Sequence, residues 1–182
     1  MSQRPVVHLF IGLHKTGSTA IRFMLDVHRD LLPQHGFYLP LATWTRYIKH
    51  SWNGGHNNIA WELFKQRPIP AYGSIADLAR EIQERPAHQH ILLTEDLDTA
   101  AEEHIETLRQ SLSACDVRII IFVRNQVDWI QSSSGEDQKW FGAPSFDTWC
   151  RSRATAPNVF VRGRRWAIVR RNSNVCPFFW SG

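Results

Sequence analysis

The chain has 182 residues, 43% of them hydrophobic and 21% charged, with a net charge of +4 and a pI near 9.3. Those values fit one soluble domain with a buried core, and they exclude a disordered, collagenous or low-complexity chain. Cys115, Cys150 and Cys176 form no CxxC pair, which argues against a disulfide framework or a cysteine metal site and for reduced thiols in a cytoplasmic setting.

Val6–Leu13 reads as a buried strand, a nearly continuous apolar run too short to span a membrane. Nothing resembles a cleaved signal peptide. The run leads into Gly12-Leu-His-Lys-Thr-Gly-Ser-Thr19, a loop of glycine, hydroxyls and lysine. Ser18–Leu31 has Ile21, Met24, Leu25 and Leu32 at helical spacing, with Pro33 and Gly36 as stops. Strand, glycine-bearing loop and helix N-terminus together make a phosphate cradle, whose N–H groups point at an anion. A Walker A loop needs lysine directly after its second glycine. Here Ser18 stands after Gly17, and the lysine lies inside the loop at Lys15.

Residues 33–56 read as irregular, ending in Ser51-Trp-Asn-Gly-Gly-His56, and a loop of that length in a compact domain points to function. Trp44, Tyr47, Trp52 and Trp61 fit either a ligand groove or the core. Asn57–Gln66 predicts a short helix ending before Pro68, and Ser74 with Asp77 predicts a capped helix start. His90–Thr94 is a second buried strand ending in Glu95 and Asp96. Thr99-Ala-Ala-Glu102 has capping-box spacing and opens a helix to about Ser113. Val117–Val123 is a third strand, and Asn125 with Asp128 caps a helix reaching about Lys139. From Arg151 onward there are arginines but no acids, which suits either a solvated surface or an anion-binding face. No nucleic-acid motif is visible.

This order of strands and helices predicts a three-layer α/β fold over residues 1–182, with a central parallel sheet flanked by helices. Ligands bind at the carboxyl ends of such strands. The loop, Glu95 and Arg124 all fall there. Arg124 offers a planar fork of donors to a second phosphate, and Ser132 adds a hydroxyl. The competing structural role for Arg124 is a local pair with Asp128.

The loop Gly-Leu-His-Lys-Thr-Gly-Ser-Thr resembles the 5′-phosphosulfate loop of sulfotransferases that use 3′-phosphoadenosine 5′-phosphosulfate (PAPS). The block Arg124-Asn-x-x-Asp-x-x-x-Ser132 is similar to the 3′-phosphate motif of that family. The resemblance covers roughly residues 5 to 140. It implies a P-loop NTPase-like fold and transfer of a sulfuryl group to a hydroxyl or amine of a carbohydrate or small-molecule acceptor, with PAPS as co-substrate and no metal. Negative charge grows on the bridging oxygen as the bond breaks, and Lys15 is the cation that would meet it. Thr16, Gly17, Ser18 and Thr19 would bind the 5′-phosphate. His14 would touch the sulfuryl oxygens or pack beside the loop. Arg124 and Ser132 would hold the 3′-phosphate. Glu95 is the first choice of general base and His56 the alternative, with helix capping and a surface loop as their respective structural roles.

Arg165–Val169 and Asn174–Phe179 resemble the late helix and strand of the family. Many relatives continue with a basic, glycine-bearing segment, for which Arg162, Gly163 and Arg164 are partial substitutes. A truncated or degenerate member is therefore expected, and a weak or inactive nucleotide-binding remnant is the alternative to a working enzyme. A P-loop nucleotide kinase ranks lower, since no lysine follows Gly17. Acceptor and oligomeric state are not legible.

Overall fold

The computed structural model describes residues 4–12, 14–48, 51–66, 68–85, 89–142 and 145–149. Arg162–Arg164, Arg165–Val169 and Asn174–Phe179 lie outside the described residues, as do Cys150 and Cys176. The site described below belongs to the compact unit Met1–Pro144.

The central sheet holds β1 (Val6–Ile11), β2 (Phe37–Tyr38), β5 (Gln89–Thr94) and β6 (Asp116–Ile120), in the order β2-β5-β1-β6. All its pairings are parallel, with Val6 opposite both Gln89 and Asp116 and Phe37 opposite Gln89. Alternate side chains of each strand serve opposite layers. Val7, Leu9 and Leu92 pack against residues such as Ile59, Leu78, Ile82 and Leu108 from α2 (Asn57–Leu63), α3 (Ile75–Glu84) and α4 (Glu102–Ser111). Ile91 and Leu93 face the other way, toward Leu39, Trp44 and the Ile21 and Leu25 side chains of α1 (Ser18–Val27). The result is a three-layer α/β fold with a central parallel sheet. Each buried Leu or Ile stabilises it by about 1.5–3 kcal/mol.

Several predicted elements hold. Ser74 and Asp77 form a reciprocal capping box at the start of α3, with Ser74 Oγ accepting the Asp77 N–H at 3.1 Å. Asn125 caps α5 (Gln126–Phe141) by accepting the Val127 N–H at 2.9 Å. Others shift. α1 ends at Val27, and the chain continues as a 3-10 stretch, Arg29–His35, that contains Pro33. Proline's fixed φ suits such a turn, and Gly36, left-handed at φ 78°, ends it.

The stretch 33–56 is not irregular. It holds β2 and an antiparallel hairpin of β3 (Thr45–Ile48) and β4 (Ser51–Gly55). Those strands lack an apolar alternation, and β4 ends in two glycines, so the pattern expected of a strand is missing. Trp44 is buried in the core beside Leu39, not in a groove. Trp61 is half-buried.

Thr99 does not cap α4. Its hydroxyl donates to the Asp96 carbonyl at 3.1 Å, closing a 3-10 turn over Asp96–Thr99. The Ala101 N–H instead goes to His104 Nδ1 at 3.1 Å. β6 stops at Ile120, so Arg124 lies four residues beyond the strand, exposed, in a stretch without regular structure. No described helix is long and apolar enough to cross a membrane.

Candidate functional site

β1 delivers the chain into the loop, and α1 takes it away. Two residues between them turn left-handed: Lys15 at φ 69° and Gly17 at φ 89°. Glycine adopts that conformation freely, whereas for a lysine it costs about 1–2 kcal/mol. The strain at Lys15 is held by contacts from the α5 region. Arg124 Nη1 donates to the Lys15 carbonyl at 3.1 Å, and Trp129 Nε1 donates to the His14 carbonyl at 2.7 Å. The Lys15 ammonium pairs with Glu136 Oε1 at 3.0 Å. Backbone strain fixed by its surroundings in this way is typical of functional loops.

Gly17 occupies the N-cap of α1 and brings no side chain to cap it. The first-turn N–H groups of a helix have no partner within the helix, and the helix dipole adds partial positive charge there. Ser18 and Thr19 carry two of these groups at the rim of a pocket of about 260 Å³. That volume lies below the roughly 300–1,000 Å³ of most small-molecule sites. It suits a small anionic group better than a large ligand.

The pocket gathers His14, Lys15, Gly17, Ser18, Thr19, Glu95, Arg124 and Ser132, all of them expected from the sequence, and adds Glu136. Residues separated by more than a hundred positions thus share one cavity. Thr16 is not among the lining residues. Arg124 reaches back to the loop instead of pairing with Asp128.

His56 does not reach the pocket. It is fully buried at the N-cap of α2, edge-on to Trp44 at 5.0 Å between ring centroids. The Leu93 N–H donates to Nδ1 at 3.1 Å, so Nε2 carries the proton and donates to the Pro40 carbonyl at 3.2 Å. Burial, reinforced by the Arg29 charge, pushes its pKa down to about 3. A neutral ring committed to two backbone groups is a core element, which removes the alternative base expected from the sequence.

Glu95 does line the pocket, with both oxygens engaged. Arg22 Nη2 donates to Oε1 at 3.0 Å, and His14 Nδ1 lies 3.1 Å from Oε2. Asp96 also reaches this cluster. The chain turns into the 3-10 segment at Glu95, which brings Asp96 Oδ1 to 3.4 Å from His14 Nε2. Hydrogen bonding to Asp96 first, then to Glu95, pushes the His14 pKa up to about 10, so the imidazole is charged at neutral pH. Behind this cluster, burial pushes Asp98 up to about 6.

Three participants were not foreseen. Arg22 is buried, its side chain 6% exposed, and its Nη2 joins Glu95 to the Thr19 hydroxyl, the latter at 3.2 Å. It lies three residues after Thr19, a spacing that puts both on one helix face. Glu136 lies four residues after Ser132 and shares its face for the same reason. Trp129 gave no comparable signal, because tryptophan most often marks core. Among the described residues no cluster of His, Cys, Asp and Glu is arranged to hold a metal ion. No protein-family model, no curated protein and no solved structure matches this chain.

Proposed function

We propose that the pocket binds the phosphosulfate end of PAPS on a P-loop-like scaffold, and that the chain transfers the sulfuryl group to a hydroxyl or amine of a carbohydrate or small-molecule acceptor. One observation carries the reading. His14, Lys15 and Gly17 to Thr19 of the loop line the same cavity as Arg124 and Ser132, and the two groups resemble the two phosphate motifs of one family. The α1 N-terminus and Lys15 supply the cationic end that a phosphosulfate needs.

In the transfer, the bond from sulfur to the bridging oxygen breaks as the acceptor oxygen or nitrogen bonds to sulfur. The leaving group is 3′,5′-ADP, and the acceptor's proton goes to a base. Lys15 opposes the charge that grows on the bridging oxygen, an interaction stronger in the transition state than in the ground state. Arg124 has one N–H on the loop and offers the rest of its fork to the nucleotide's other phosphate. Glu95 lines the pocket with Oε2 3.1 Å from His14 of the loop, and its service as base requires His14 to release that oxygen.

The engagement of both Glu95 oxygens favours a second reading, a nucleotide-binding protein without turnover. Thermal unfolding with 3′,5′-ADP tests the shared premise: at 100 times Kd the ligand adds about 2.7 kcal/mol. A shift with ATP–Mg²⁺ and none with 3′,5′-ADP refutes a PAPS-type site, and with it the proposed transfer. A radiolabelled-sulfate assay over an acceptor panel then separates the two readings.

A further inference from the structure

The pocket contains a carboxylate that the proposed transfer does not use. Glu136 lies on α5 with Oε1 3.0 Å from Lys15 Nζ. The two acids that line the cavity are held very differently. Glu95 is fixed by the buried Arg22 and by His14. Glu136 makes one ion pair, whose side chains are 30% and 39% exposed. Such pairs are weak, because solvent screens them and two long side chains lose freedom in forming them.

The backbone around this pair does not depend on it. The His14 and Lys15 carbonyls are tied separately, by Trp129 and Arg124. Glu136 can therefore swing away from Lys15 while the loop keeps its shape. A phosphate or sulfuryl oxygen placed on the Lys15 ammonium would stand beside the Glu136 carboxylate, and like charges at that separation repel. The lysine cannot serve both at full strength.

We propose that Glu136 is a displaceable counter-ion of Lys15. It trades places with the terminal anionic group of a phosphate or phosphosulfate ligand, and so sets the affinity of the pocket for such groups. This rests on reading the cavity as an anion site, though not on the identity of the nucleotide. Glu136 is then a specificity-determining residue for the proposed reaction, because every anion that reaches Lys15 must first compete with it.

Calorimetric titration of the full chain with inorganic pyrophosphate, and separately with 3′,5′-ADP, tests the assignment. Glu136→Gln and Glu136→Ala should each bind pyrophosphate about 2- to 5-fold tighter than the wild type, the range expected for removing a competing exposed ion pair. Glu102→Gln, the same charge change outside the pocket, should leave the affinity unchanged. Equal or weaker pyrophosphate binding in both Glu136 variants overturns the proposal, as does absence of pyrophosphate binding to every form. A lower melting temperature with unchanged affinity also overturns it and assigns Glu136 to the fold. Tighter pyrophosphate binding without any 3′,5′-ADP binding upholds the counter-ion and refutes the nucleotide reading.

Discussion

Replacing Arg22 by methionine should cost this protein about 3 kcal/mol. The guanidinium is buried, bonded to Glu95 and to the Thr19 hydroxyl. Removing one partner of a buried pair and stranding the other costs roughly 3–5 kcal/mol. Two features put the loss at the lower end. Glu95 keeps its contact with His14, and Arg22 Nε is itself buried without a partner, so the wild-type pair is incompletely satisfied. Methionine retains most of the apolar stem that crosses Gly55, which confines the change to charge and hydrogen bonding. In a unit of this size 3 kcal/mol corresponds to roughly 10 °C in Tm. Urea unfolding followed by far-UV circular dichroism measures the difference directly. Arg22→Met with Glu95→Gln should be less damaged than the sum of the two single variants, with a coupling of about 0.5–3 kcal/mol. A single variant within 1 kcal/mol of wild type, or strict additivity in the double variant, would show that the pair does not anchor the site.

Gly55→Ala should destabilise by about 1–3 kcal/mol in the same unfolding assay, because a Cβ there meets Arg22 Cδ at 3.1 Å and the Leu93 carbonyl at 3.2 Å with φ at 145°; a loss under 0.5 kcal/mol contradicts the packing described. The two perturbed histidines should shape stability on opposite sides of neutrality. His14, with its pKa raised from 6.5 to about 10, contributes stability in full below pH 6.5 and loses it as pH rises to 10. Its side chain is 47% exposed, so solvent screening limits that contribution to about 1 kcal/mol. His14→Gln should flatten this alkaline limb, and an unchanged limb rules out the two carboxylate contacts as its source. His56, lowered to about 3, must take up a proton on unfolding below pH 6.5, so stability should fall as pH drops from 6.5 toward 3. A pH-independent urea midpoint across that range would contradict the buried neutral ring. If sulfate transfer is detected, Lys15→Ala should slow it about 10²–10³-fold, and near-normal rates would remove Lys15 from the chemistry.

The parts of the fold that were legible in the sequence are those whose signal is local. The β1 and β5 segments are short apolar runs, and α3 opens with a serine and an acid at capping distance. The hairpin β3–β4 had no such signal. Its strands are held by pairing with each other and by tertiary ties such as Asn57 Nδ2 donating to Thr45 Oγ1 at 2.8 Å. The site divides in the same way. The loop and the Arg124 to Ser132 block announce themselves by residue type and spacing. The fate of His56 depended on whether residues 33–56 formed a surface loop, and the chain instead closes over the ring through Leu93 and Pro40. The position of Glu95 after β5 is legible from the apolar run before it, whereas its partner Arg22 depends on α1 passing beside Gly55.

The loop and the later block are structurally one unit, because each supplies what the other lacks. A loop with a left-handed lysine needs outside groups to hold its carbonyls, and the tying donors, Arg124 Nη1 and Trp129 Nε1, come from the stretch that runs into α5 and from its first turn. That segment in turn has an exposed approach, with Val123 80% exposed, and gains its fixed contact with the loop through the same two bonds. Arg124 therefore ties the loop with one N–H of its guanidinium while it also lines the pocket. Lysine, a point charge on a flexible stem, cannot divide its donors in that fixed geometry. The tie between the two segments is thus a mechanical requirement of the loop conformation.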